Sequence, residues 1–282
     1  MVKRVAVAAV AIPAAVGLVY LGGWPLAALL SLFGVVGAFE FYRFGERSGL
    51  RPLHGAGFLG AALIPIVTYG VVSGSGMTEA GWVALGGATW LITAVSLTAL
   101  RRGPAERPLA SVALTVFAAL YAGALPAFLI PIRHASTVES AAAATALVFL
   151  PLVVTWVCDS LAMSGGSAIG GPKLAPVLSP NKTWAGAVSG SVGAVILAPL
   201  YGAFVLTRFG IEIALWQLAV FGLIISVVGQ IGDVSESLFK REVGVKDSGG
   251  FFPGHGGVLD RFDSLYWVIP TSALLFKLFG TT

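Results

Sequence analysis

Apolar residues in this chain run in long blocks separated by short polar punctuation, and the blocks have the length that a helix needs to cross a lipid bilayer, about 20 residues. Their positions predict nine helices, near 5–21, 26–42, 55–73, 81–100, 109–131, 141–158, 185–206, 213–232 and 264–280. An odd number of crossings puts the termini on opposite sides. The basic residues test that arrangement: of 17 Lys and Arg, all but Arg133, Arg208 and Lys277 fall at the N-terminus or in the connections after the second, fourth, sixth and eighth helices. Positively charged connections stay in the cytoplasm, so the expectation is a cytoplasmic N-terminus. Topology alone accounts for Arg43, Arg47, Arg51, Arg101, Arg102 and Arg107.

Composition supports the same class. The 282 residues are 57% hydrophobic and 11% charged, with a mean hydropathy of +0.91. Short polar connections leave no room for a soluble domain, so the expected fold is an all-α polytopic membrane protein. Lys3 and Arg4 before an apolar block could mark a secretory leader, but no small-residue cleavage pattern follows, and the block reads as the first span. Cys158 is the only cysteine, which excludes a disulfide framework or a cysteine-based metal site. It reads as a packing residue.

Polarity changes near residue 140. Residues 1–140 read as scaffold helices whose one acidic span residue, Glu40, can snorkel and pair with Arg43 one turn on. Residues 141–282 read as the catalytic region, because two charged, Gly/Pro-rich interruptions, 159–184 and 233–263, both fall on the cytoplasmic side.

The second interruption carries the densest chemistry. If the eighth helix continues past the bilayer, Asp233, Glu236, Ser237, Lys240 and Arg241 share one face at helical spacing. Glycines 249, 250, 254, 256 and 257 around Pro253 and His255 then forbid helix and let backbone amides approach an anion. Asp260 and Asp263 follow at i and i+3 and are expected to point the same way from the first turn of the ninth helix. Six of the 13 acidic residues thus fall within 233–263. Carboxylates without cysteine are hard oxygen ligands suited to Mg²⁺. Acids mixed with Lys240, Arg241, Lys246 and Arg261 suggest a polyphosphate held between metal and cations. His255 can contact a phosphate or order the loop.

The first interruption is no Walker loop, because Pro172 stands where that motif needs lysine. Ser179-Pro180 reads as a cap with proline in the first turn, which would aim the free amides of the seventh helix, with Lys182 and Thr183, at an anion. Asp159, at the inner end of the sixth helix, faces the same zone.

On these residues the chain resembles the phosphatidate cytidylyltransferases, or CDP-diacylglycerol synthases. Ser237-x-x-Lys240-Arg241, Lys246-Asp247 and Pro253-x-His255-Gly256-Gly257-x-x-Asp260-Arg261-x-Asp263 match the family signature at every defined position. Upstream, Asp159, Ala162, Gly166, Gly170, Lys173, Leu174, Pro176, Ser179, Pro180, Lys182, Thr183, Trp184 and Gly186 also align. Met163, Ser164, Ser167, Gly171 and Ala185 depart from the usual Tyr-Phe pair, Arg, Lys and Glu, so roles tied to those side chains do not carry over. The N-terminal half resembles the family only in hydropathy.

The resemblance implies a homodimeric enzyme of the bacterial inner membrane that joins CTP to phosphatidic acid at the cytoplasmic ends of its C-terminal helices, with no nucleic acid as partner. It implies Mg²⁺, and alongside it a monovalent cation such as K⁺. The expected metal ligands are Asp233 and Asp260 with Glu236, and the expected catalytic set is Asp233, Lys240, Asp260 and Asp263, with Lys240 paired to Asp263. Arg241, Lys246 and Lys182 are expected to hold the triphosphate, and Asp159, Lys173, Ser179, Thr183, Ser237, Asp247, His255, Gly256, Gly257 and Arg261 complete the substrate-binding set. Two other readings compete. A CTP-dependent lipid kinase acting on a polyprenol-type alcohol would need a general base and release CDP. An ion-coupled transporter would place its charges near the bilayer midplane, whereas these lie at one surface.

Overall fold

The computed structural model describes residues 13–74, 77–252, 254 and 256–281. It is mostly helical. In chain order the elements are α1 (13–21), α2 (Gly23–Arg47), α3 (His54–Gly74), α4 (Met77–Ala99), α5 (Pro108–Arg133), α6 (Ala141–Ile169), β1 (Lys173–Ala175), β2 (Ser179–Thr183), α7 (Trp184–Phe204), α8 (Leu215–Glu242), α9 (Leu259–Phe262) and α10 (Leu265–Leu278). Among the described residues seven helices are long and apolar enough to cross a membrane, and they correspond to the second through eighth predicted spans. The predicted first span begins outside the described residues. The ninth is shorter than expected: α10 has 14 residues, about 21 Å of helix at 1.5 Å per residue against a hydrocarbon core of about 30 Å. A turn at Asp263-Ser264 separates it from α9 and removes the polar end that the sequence pattern had joined to it.

Packing divides the chain into two units, Met1–Ile130 with Glu242–Phe262, and Pro131–Arg241 with Asp263–Thr282. In the first unit α2 packs on α3 and α5. A Cβ on Gly34 would lie 3.0 Å from the Ala61 carbonyl oxygen, so glycine lets the two backbones meet there. Polar side chains on these helices spend their hydrogen bonds internally: Ser31 Oγ donates to the Ala62 carbonyl at 2.7 Å, and Thr115 Oγ1 accepts from Leu53 N at 3.0 Å. Phe33 meets Phe251, Phe252 and Phe262, which ties the glycine-rich segment to α2.

In the second unit α6 and α7 form the most extensive helix pair. A Cβ on Gly190 of α7 would come within 2.7 Å of the Cys158 carbonyl oxygen on α6, and Cys158 is buried in that seam as the packing residue expected. Phe221 of α8 and Phe276 of α10 stack with ring centroids 5.2 Å apart. Gln230, in the apolar run of α8, donates to the Ala187 carbonyl at 3.4 Å and to Ser191 Oγ at 3.3 Å, and Ser226 donates to the same Ser191 oxygen at 3.0 Å.

Helix α6 runs to Ile169, eleven residues beyond the predicted end, so Asp159 lies within the helix and not at its terminus. Gly170 ends it at a φ of 68°, a conformation that costs glycine little. The chain then forms a two-stranded antiparallel hairpin that pairs Lys173 with Thr183.

Candidate active site

The second unit gathers acids from three places in the sequence. Asp159 comes from α6, Asp233 from α8, and Asp263 from the turn before α10. What brings the last two together is Gly232: a Cβ there would stand 2.9 Å from both the Asp263 carbonyl oxygen and the Trp267 ring, so only glycine lets α8 lie this close to the turn. Gly232→Ala is therefore expected to cost about 1–3 kcal/mol of stability by overpacking, read as a lowered melting temperature of the detergent-purified protein.

Charge in this cluster is unbalanced. Burial first, and then the negative charge of Asp233, pushes the Asp263 carboxyl well above the usual carboxylate range; Asp159 adds to the rise, while the Ser264 amide and Lys240 oppose it. The amide bond is direct, Ser264 N to Asp263 Oδ1 at 2.7 Å. Two lysines offset part of the negative charge: Lys182, from β2, forms an ion pair with Asp233, and Lys240 lies 3.0 Å from Glu236 one turn back on α8. Glu236 is 0% exposed, so Lys240 is the cation beside a fully buried carboxyl and also acts on Asp263. Arg241 Nε donates to the Leu178 carbonyl at 3.3 Å and fastens the end of α8 to the hairpin.

The hairpin itself corrects one expectation. Ser179-Pro180 is not the cap of the seventh helix, because Ser179–Thr183 is extended and pairs with β1. The cap is Thr183, whose hydroxyl oxygen accepts from Gly186 N at 3.1 Å, and Trp184 N donates to the Pro172 carbonyl at 3.0 Å. These amides at the start of α7 are committed to the chain and are not the free anion donors the sequence suggested. Lys182 and Thr183 keep their neighbourhood but lie on the strand side of the cap.

In the first unit the glycine-rich segment is non-helical, as expected, and closes with Phe252 N donating to the Gly256 carbonyl at 3.0 Å. Asp260 Oδ2 accepts from Ser248 N at 2.8 Å and Gly257 N at 2.9 Å, and lies 2.9 Å from Ser248 Oγ. Gly256 has a φ of 85°, and a Cβ there would meet Asp260 Oδ2 at 2.7 Å, so glycine is required twice over. The expectation that Asp260 and Asp263 share a helical face does not hold. The turn at Asp263-Ser264 breaks that helix, and each acid is engaged within its own unit.

Glu40 is a second correction. It does not snorkel toward Arg43: it is 2% exposed, and it accepts from Ser248 Oγ at 2.7 Å and from the backbone N–H groups of Val258 and Leu259 at 2.9 Å each. A buried carboxylate that takes two amides and a hydroxyl is satisfied without a counter-ion.

With this geometry in hand, the comparison with known proteins is direct. The profile of the cytidylyltransferase family matches residues 2–279. The chain belongs to the cytidylyltransferase family. Among curated relatives, it is 48% identical to the phosphatidate cytidylyltransferase of Brucella abortus over 136 residues, which is 48% of this chain and 47% of the relative. It is 44% identical to the phosphatidate cytidylyltransferase of Staphylococcus saprophyticus over 128 residues, 45% of this chain and 48% of that one. With the phosphatidate cytidylyltransferase of Rickettsia bellii it shares 41% identity over 138 residues, 48% of this chain and 58% of the relative. The chain thus spans about half the length of the curated relatives it matches.

Of the residues read from the sequence, the fold brings together Asp159, Lys182, Asp233, Asp263 and, through its charge, Lys240 in one unit. Gly257 and Asp260 meet in the other, with Gly256 against them. Ser237 and Thr183 are buried, Ser179 is half-buried, and Lys173, Lys246, Asp247 and Arg261 are exposed. His255 lies outside the described residues. The signature reading missed Ser248 and Glu40. Ser248 follows Lys246-Asp247 immediately and could have been marked as a turn-forming donor; Glu40 carried no local signal beyond being an acid in a span.

Among the described residues no three His, Cys, Asp or Glu side chains converge as a ready metal cage. The donors are still of the kind Mg²⁺ takes, since it binds through one or two carboxylates and fills its shell with water and phosphate oxygens. Burial does most to raise the Asp263 carboxyl, and the neighbouring charges of Asp233 and Asp159 add to it.

Proposed function

We propose that the chain is a phosphatidate cytidylyltransferase that transfers CMP from CTP to phosphatidic acid, giving CDP-diacylglycerol and pyrophosphate. The carrying observation is the Asp159, Asp233 and Asp263 cluster with Lys182 and Lys240, built on membrane-length helices in a chain of this family. Transfer needs no protein base. A lipid phosphomonoester has a second pKa of about 6, so it is largely a dianion near pH 7. One of its oxygens forms a bond to the α-phosphorus of CTP as the bond to the β-phosphate oxygen breaks, and pyrophosphate leaves with that electron pair. The protein must align two anions and offset their charge. Lys182 and Lys240, each oriented by a carboxylate, supply positive charge, and Arg241 adds to it.

Asp233 and Asp260 each carry a carboxylate of the kind Mg²⁺ takes, and the ion would supply Lewis-acid neutralisation of the phosphate oxygens. Glu236 fits that set less well, because its carboxyl is buried beneath Lys240. A monovalent cation such as K⁺ and a homodimer belong to the same proposal. So does a bacterial inner membrane location with the site on the cytoplasmic face, which the distribution of Lys and Arg supports.

Detergent-purified protein with labelled CTP and phosphatidic acid is expected to form CDP-lipid and pyrophosphate in Mg²⁺, to stop in EDTA, and to recover when Mg²⁺ is restored. Release of CDP would instead point to a lipid kinase, and no turnover with any lipid phosphate would overturn the assignment.

A further inference from the structure

Glu40 is an acid in a span, 208 residues from Ser248, yet Ser248, Val258 and Leu259 all donate hydrogen bonds to it. Its two oxygens divide the work: Oε1 takes Val258 N, and Oε2 takes Leu259 N and Ser248 Oγ. Two glycines are shaped around the carboxyl. A Cβ on Gly249 would lie 2.6 Å from Oε1, and one on Gly257 would lie 2.3 Å from it and 2.2 Å from Ser248 Oγ. Any other residue at either position would displace the acid. Ser248 then links this carboxyl to the next, since its Oγ also contacts Asp260 Oδ2 and accepts weakly from Asp260 N at 3.4 Å. Ser248 and Gly257 meet Asp260 at Oδ2, which orients that carboxyl.

We propose that Glu40 is a positioning residue for the reaction: by gripping Ser248, Val258 and Leu259 it folds the glycine-rich segment into the one shape that aims Asp260 at a divalent cation. This rests on the reading of Asp260 as a metal-binding carboxylate. A carboxylate that orients a ligand through an intermediate hydrogen bond usually matters by about 10–100-fold in metal affinity. A role confined to stability would reduce the amount of folded protein without changing the affinity of the folded fraction, so the two can be told apart.

The test uses the full chain in detergent, with Mn²⁺ alone titrated and followed by electron paramagnetic resonance, and amide hydrogen exchange measured on 246–262. In Glu40→Gln the exchange of Val258 and Leu259 is expected to accelerate while α2 stays protected, and Mn²⁺ affinity is expected to fall about 10–100-fold at unchanged stoichiometry. Ser248→Ala, which removes only the linking hydroxyl, keeps the test decisive should Glu40→Gln fail to fold; it is expected to weaken Mn²⁺ in the same direction. Wild-type Mn²⁺ affinity in both variants, or unchanged exchange at Val258 and Leu259 in Glu40→Gln, overturns the proposal. Asp260→Asn is run alongside. If it binds Mn²⁺ as the wild type does, the metal reading of Asp260 fails, and the exchange data alone then decide whether Glu40 shapes the segment.

Discussion

Asp260→Asn is expected to lower kcat/KM for CDP-lipid formation by about 10²–10³-fold, the loss of several kcal/mol of charge stabilisation at about 1.4 kcal/mol per decade. The fold should survive. Ser248 N and Gly257 N donate to Asp260 Oδ2, and the amide oxygen of asparagine can accept from the same groups. What changes is the other side of the group, where a neutral N–H₂ replaces an anionic oxygen and cannot bind a cation. Initial rates at saturating Mg²⁺, with a melting curve on the same preparation, check both halves. Near-normal turnover would remove Asp260 from the metal site.

Lys240→Met should act mainly on stability. Glu236 is fully buried, and the ammonium 3.0 Å away is the cation that makes its charge tolerable. Removing one partner of a buried pair costs about 3–5 kcal/mol, because the remaining charge is left desolvated. Adding Glu236→Gln should restore most of the melting temperature, since a neutral amide at this position needs no cation. It should not restore turnover if Lys240 also supplies charge to the phosphates. A Lys240→Met protein that melts with the wild type would show that Glu236 is neutral or otherwise satisfied, and the paired design would lose its basis.

Local periodicity made part of this legible in advance. The common face of Asp233, Glu236 and Lys240 follows from helical spacing alone, and α8 continues to Glu242 as that spacing required. Seven helices of membrane length match blocks read from hydropathy. What escaped was contact between distant segments. Glu40 reads as a snorkelling span acid because its nearest opposite charge in sequence is Arg43, whereas its partners lie 208 to 219 residues away. Ser179-Pro180 has the composition of a helix start, but the hairpin pairs Thr183 with Lys173 and moves the cap four residues on. Asp260 and Asp263 have helical spacing too. A turn between α9 and α10 outweighs it, and nothing local to the "DRFDS" stretch marks that turn.

The Gln230, Ser226 and Ser191 contacts have a mechanical consequence for the second unit. Helices α7 and α8 meet through otherwise apolar faces that fit closely, since a Cβ on Gly222 would lie 2.3 Å from the Ala194 carbonyl oxygen. Three hydrogen bonds at fixed heights act as a key in a slot. Displacement by one turn, about 5.4 Å, would break all three with no water at hand to replace them. Motion of these helices must therefore be tilting or hinging as a locked pair, with the axial offset that sets Lys182 beside Asp233 preserved throughout.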